Sequence, residues 1–108
     1  MKIEVNHYDH NSGNFIHVAN VHIEKETSVN SALEYAFRWT NNIDGSWSQG
    51  ELVNWEGTMV DNPDFNRNVE VIAPLPTHLG RTYGLRSSSV NDIFQIGEKS
   101  YQVASFGF

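Results

Sequence analysis

The chain has 108 residues, 39% of them apolar and 12% aromatic, with a formal charge of −6 from 13 acidic and 7 basic side chains and no cysteine. That length and composition allow one modest core, and they exclude both a second core and wholesale disorder. The missing thiols exclude disulfides, thiolate nucleophiles and cysteine-based zinc frameworks, and they suit a reducing cytoplasm.

The acidic balance argues against a phosphate-binding face, so no nucleic-acid partner is expected. The acids are scattered rather than packed in rows, which argues against a DNA mimic. The N-terminus reads Met1-Lys2-Ile3-Glu4-Val5-Asn6-His7 with no apolar signal region after it, and no apolar run is long enough to span a bilayer. The expectation is a soluble cytoplasmic protein with no membrane partner.

Residues 2–9 and 15–24 alternate as a β-hairpin. Ile3, Val5 and His7 share one face of the first strand, and Phe15, His17, Ala19, Val21 and Ile23 share one face of the second. His10-Asn11-Ser12-Gly13-Asn14 supplies turn formers between them. Pairing Asp9 with Phe15 across a five-residue loop sets Val5 opposite Ala19, Ile3 opposite Val21 and His7 opposite His17. A tight Ser12-Gly13 turn would set Val5 against Asn20, so burial favours the longer loop.

Residues 29–40 predict a helix capped by Ser28, with Val29, Ala32, Leu33, Ala36 and Phe37 on the core face. Glu34 and Arg38 are spaced for an intrahelical pair, and Tyr35 and Trp39 form a second aromatic row. Residues 41–68 are irregular, rich in Asn, Asp, Gly and Ser, with a short strand expected over Glu51–Trp55 and a turn at Asn62-Pro63-Asp64. A strand is expected over Val69–Ala73, then a stop at Pro74-Leu75-Pro76, then a short strand or extended loop over Gly80–Arg86. Ile93–Ile96 and Tyr101–Ser105 read as a closing hairpin turning at Glu98-Lys99, with Ile96 against Tyr101 and Phe94 against Val103. Ile93, Ala104 and Phe106 make its reverse face apolar as well, which predicts a place at the centre of the sheet.

Four groups of residues bear on chemistry. His7 and His17, with Asp9 or His10, could hold a metal, but no third ligand lies at a fixed spacing, and ordinary strand-end histidines are the expectation. All three tryptophans fall within residues 39–55 among Asn, Asp and Ser, a pattern suited to stacking and hydrogen bonding at a binding surface or to covering the end of the core. Arg86 precedes Ser87-Ser88-Ser89, which suits either an anion clamp or a structural ion pair with serines capping a turn before Val90-Asn91-Asp92. A trio of Ser46, His78 and Asp92 can be drawn, as it can in any polar chain of this length. No hydrolase, zinc-protease or P-loop motif is present.

Residues 86–93 (Arg-Ser-Ser-Ser-Val-Asn-Asp-Ile) and 101–108 (Tyr-Gln-Val-Ala-Ser-Phe-Gly-Phe) together resemble the end of YodL-like domains. Those are small bacterial and mobile-element domains with a Ser-x-Ser-Val-x-Asp-hydrophobic run and a Tyr-x-Val-x-Ser-x-Gly-Phe strand. The resemblance covers about a fifth of the chain and implies a phage or mobile-element setting, with no catalytic residue to carry over. The motif also has a folding role: Ser89 and Asp92 can satisfy backbone groups at a turn entering a buried strand, and Gly107 allows close approach of a neighbour.

The sequence therefore predicts a single α+β domain with one mixed or antiparallel sheet and a single main helix packed on one face. The leading expectation is a non-enzymatic binding protein acting through Tyr35, Trp39, Asn42, Trp47 and Trp55, with a protein partner or itself, as a homodimer, and with no cofactor or metal. The alternative is a small-ligand or enzymatic domain using Arg67, Arg86 and the histidines, with at least one arginine and one histidine converging in a concave anion site.

Overall fold

In the computed structural model, which describes residues 1–105, the elements in chain order are β1 (Lys2–Asp9), β2 (Asn14–His22), α1 (Val29–Trp39), β3 (Leu52–Trp55), β4 (Thr58–Asp61), β5 (Val69–Val71), β6 (Thr77–His78), β7 (Arg81–Thr82), β8 (Ile93–Ile96) and β9 (Lys99–Gln102). Five of the strands form one antiparallel sheet in the order β5-β2-β1-β8-β9. The helix covers one face, so the α+β class with one helix on one sheet holds. No helix among the described residues is long and apolar enough to cross a membrane.

Alternation explains which face is covered. Ile3, Val5, Ala19, Val21 and Phe94 point under the helix and meet Ala32, Leu33 and Ala36, with Trp47 and Val103 closing the core. The opposite face carries Lys2, Glu4, Asn6, Asn20, His22, Glu70 and Gln95, the polar side of a sheet buried on one face only. Ser28 caps the helix by accepting the Ser31 N–H at 3.1 Å, and Thr40 ends it by donating its N–H to the Ala36 carbonyl. Val29 leaves the stripe and is exposed, whereas Phe37 is half-buried against the core.

The first hairpin keeps Ile3 opposite Val21 and Val5 opposite Ala19, but its far half is shifted. A β-bulge at Val18 inserts an extra residue between Ala19 and His17, so Asn6 faces His17, His7 faces Ile16 and Asp9 faces Asn14. The expected pairings of Asp9 with Phe15 and His7 with His17 are therefore corrected, and with them the cross-strand histidine pair. The cause is burial. The bulge turns both Val18 and Ala19 inward, and Val18 offers its carbonyl to the Ile72 and Ala73 N–H groups. His17 goes to the polar face, where it bonds Asn20.

The closing hairpin is also corrected. Its turn is Gly97-Glu98, with Gly97 at φ 59°, and Ile96 pairs with Lys99 and Phe94 with Tyr101. Its second strand ends at Gln102 and lies on the sheet edge; β1, not this hairpin, is central. The two-residue turn wins because glycine supplies its left-handed position. The expectations for Phe106 and Gly107 lie outside the described residues.

Candidate binding site

The serine-rich segment after Arg86 is a knot of internal bonds. The Asp92 carboxylate is fully buried and takes a bidentate pair from Arg86, at 2.8 Å to each oxygen. It also accepts the backbone N–H groups of Tyr8 (2.8 Å) and Ser89 (2.7 Å). Burial opposes its ionisation, but Arg86 and those N–H donors outweigh burial and hold its carboxyl below the usual range. The two terminal guanidinium nitrogens of Arg86 bond Asp92, Ser87 O and Tyr8 O, so all four of their hydrogens are committed. The expected structural ion pair is present, and an incoming anion would find little left to bind.

His7 and Ser88 lie side by side beneath this pair, with His7 Nε2 at 2.9 Å from Ser88 Oγ and 3.8 Å from Asp92 Oδ2. The hydrogen-bond sequence fixes the roles. Thr40 Oγ1 donates to the Ala36 carbonyl, so Ser88 Oγ must donate to Thr40, which leaves Ser88 accepting from a protonated His7 Nε2. A histidine donating to a serine cannot take that serine's proton. The aspartate also faces the same ring nitrogen as the serine, where a catalytic triad places it on the opposite one. Burial pushes His7 down to about 4, with Asp92 opposing and Arg86 assisting, so it is neutral near pH 7. The grouping is a structural lock. The trio of Ser46, His78 and Asp92 is not assembled: Ser46 lies in the loop packed against Gly84, while His78 is exposed on β6.

Two predicted binding residues belong to the same lock. Trp47 is only 1% exposed; its indole N–H donates to the Arg86 carbonyl at 2.8 Å and its ring meets His7 edge-on at 6.1 Å. Asn42 accepts the Trp47 N–H, donates its own N–H to Ser87 Oγ and gives Nδ2 to the Leu85 carbonyl. The expectation of Trp47 on an aromatic and polar surface is therefore corrected, because an indole with a buried N–H partner gains more from the core than from water, whereas Asn42 stays exposed. Tyr35 is half-buried and its hydroxyl accepts from Asn66 and Asn68, tying the helix to the approach to β5. Trp39 is half-buried, 6.4 Å from Tyr35, with the Arg38 guanidinium 4.1 Å over its ring. Arg67 is exposed and makes no ion pair among the described residues.

Trp55 is placed differently. It is 67% exposed on a two-stranded arm, β3–β4, in which Val53 pairs with Val60 and Asn54 with Met59. Strand alternation puts Val53, Trp55 and Val60 on one side and Leu52 and Met59 on the other, and Leu52, Trp55, Met59 and Val60 are all exposed. The arm turns on Glu56-Gly57, both with left-handed φ. An isolated hairpin is marginal in water, so this one depends on its root. Asn62 closes it, donating its N–H to the Glu51 carbonyl and Nδ2 to the Ser46 and Gly50 carbonyls. Asp64 braces the preceding loop by accepting the N–H groups of Ile43, Asp44 and Gly45 on one oxygen while Arg38 lies 3.2 Å from the other. Gly45 is required there, because a Cβ would lie 2.2 Å from Asn62 Oδ1.

A second, shorter arm, β6–β7, is rooted beside the first. Gln49 donates to the Thr82 carbonyl, Ser48 Oγ accepts the Leu85 N–H, and Gly84 passes so close to Ser46 that a Cβ would lie 2.1 Å from its Oγ. Its tip presents Leu79, 92% exposed at φ 51°, with Tyr83 below it. Sequence reasoning missed Leu52, Met59, Val60 and Leu79 as surface residues. The signals were the residue-glycine pairs Glu56-Gly57 and Leu79-Gly80, each suited to a two-residue hairpin turn.

Two concavities border the lock: a smaller one of about 260 Å³ on the side of Ser88 and Ser89, and a groove of about 570 Å³ walled by Ile16, Val18, Ala73, Pro74, Pro76 and Leu85, with His7 and Arg86 at its side. An arginine and a histidine do converge in the groove, as the alternative expects, although His7 Nε2 and the terminal guanidinium nitrogens of Arg86 are committed internally; Arg67 does not line it. Among the described residues no cluster of His, Asp or Glu is arranged to hold a metal. No family model, curated protein or solved structure matches the chain.

Proposed function

We propose that this chain is a small non-enzymatic binding protein that engages a protein partner through the β3–β4 arm around Trp55. The observation that carries the reading is the exposure of Leu52, Trp55, Met59 and Val60 on an arm that buries none of them against the body. Exposed aromatic and Met side chains on a projection are the usual anchors of protein interfaces. The YodL-like resemblance supports a phage or mobile-element accessory role, and the absence of cysteine supports a reducing cytoplasm. The reading with an Arg/His anion site loses its main cation, because Arg86 is spent on Asp92.

Photocross-linking in the host cell tests this. A benzoyl-phenylalanine in place of Trp55 should give a discrete protein adduct, and the same group in place of Gln95, on the polar face of the sheet, should give none. No adduct at position 55, or the same adducts at both positions, would overturn the reading.

A further inference from the structure

With the arm taken as the binding element, as proposed above, its chemistry narrows the class of partner. Between Trp39 and Asn66 the chain contains no lysine or arginine. Within that stretch the arm has Glu51 before its first strand, Glu56 at its tip and Asp61 at the end of its second strand. Each of its faces carries exposed apolar side chains: Trp55 and Val60 beside Thr58 on one side, Leu52 and Met59 beside Asn54 and Asp61 on the other. A flat partner would cover only one of these faces and leave the other in water. Covering both requires a cleft that takes the arm edgewise, and burying the acidic tip requires a cation at the floor of that cleft.

We infer that the partner is a protein with an apolar cleft rimmed and floored by Lys or Arg, into which the β3–β4 arm inserts. Charge complementarity selects this occupant over a second copy of the chain. Two arms meeting would set three acids against three with no intervening base, in a protein that already carries −6. The apolar groove beside Arg86 does not supply the missing cation, since that guanidinium is neutralised by Asp92. Nucleic acid and anionic lipid are disfavoured by the same charge.

The test uses a probe of that chemistry, a Leu/Lys helical-hairpin peptide with facing leucine stripes and lysine edges, and its counterpart with Glu for Lys. The full-length protein should bind the Lys form, weaken as salt is raised, and ignore the Glu form. The double variant Glu56→Lys/Asp61→Lys, which keeps the apolar side chains, should lose about tenfold or more in affinity. Trp55→Ser/Met59→Ser, which keeps every charge, should lose as much, showing that attraction is not general to an acidic protein. Unchanged affinity in either double variant would overturn the inference. So would sedimentation as a dimer that Trp55→Ser/Met59→Ser dissolves, which would assign the arm to a second copy. If the adduct formed from position 55 in the cell persists undiminished after the charge reversal, the partner class is wrong while the arm remains the binding element.

Discussion

Residues 86–92, almost all polar, and residues 52–61, half of them large and apolar, both lie outside the main sheet pairing, and they spend their side chains in opposite ways. In the first, Arg86, Ser87, Ser88 and Asp92 each bond to another part of the fold: the end of β1, the end of α1 or the loop around Asn42. In the second, the inter-strand ladder and the root at Asn62 account for the arm, and its large apolar side chains touch little of the body. The dense bonding of the first is explained by folding; the exposed Trp and Met of the second find no such explanation in the fold, and the proposed partner accounts for them.

Breaking the lock should cost most. Asp92→Ala leaves Arg86 facing a cavity and the Tyr8 and Ser89 N–H groups unpaired, and should lower unfolding stability by about 3–5 kcal/mol in urea titration. Arg86→Ala should cost a similar amount, because it leaves the fully buried Asp92 carboxylate with only the Tyr8 and Ser89 N–H groups and entering water in place of its cation.

The pH dependence of stability is the next effect. His7 is pushed down to about 4 in the fold from its ordinary 6.5, so between those values the unfolded chain binds a proton that the native state refuses. Stability is full above about pH 6.5 and falls as the solution is acidified towards pH 4, by at most about 3 kcal/mol. Asp92 and Asp64, both held below their ordinary range, add a further loss only in more acid solution. In His7→Gln the slope between neutrality and pH 4 should flatten, whatever the absolute stability of the variant. A slope unchanged by the substitution would remove His7 from the account.

The smallest effect belongs to the arm. Trp55→Ser/Met59→Ser should change unfolding stability by no more than about 0.5 kcal/mol, as expected of exposed side chains that pack on nothing. A loss as large as that of Asp92→Ala would mean that the arm is part of the core's cooperative unit.

Where the sequence was legible, the signal was periodic. The 3.6-residue stripe and the Ser28 cap located α1, and alternation located β1, β2 and the inward set of Ile3, Val5, Ala19 and Val21. The bulge at Val18 was not legible, because period-two reasoning assumes an unbroken ladder and an extra buried valine looks like any other. That single inserted residue separated His7 from His17 and dissolved the one metal candidate. At the closing hairpin, apolar side chains on both faces suggested a central place, but a glycine turn and an edge position prevailed. Composition grouped the three tryptophans in one segment but could not separate Trp47, drawn inward by the Arg86 carbonyl, from Trp55, left outside by the turn at Glu56-Gly57. That distinction depends on contacts between residues far apart in sequence, which no local pattern encodes.

Native-state hydrogen exchange compares the two regions directly. The amides of Tyr8 and Ser89, held by Asp92, should exchange only through global unfolding, whereas the ladder amides of β3 and β4 should exchange through local opening at far lower free energy. Equal protection of the two sets would contradict the account, because the arm would then be bound into the body rather than held out from it.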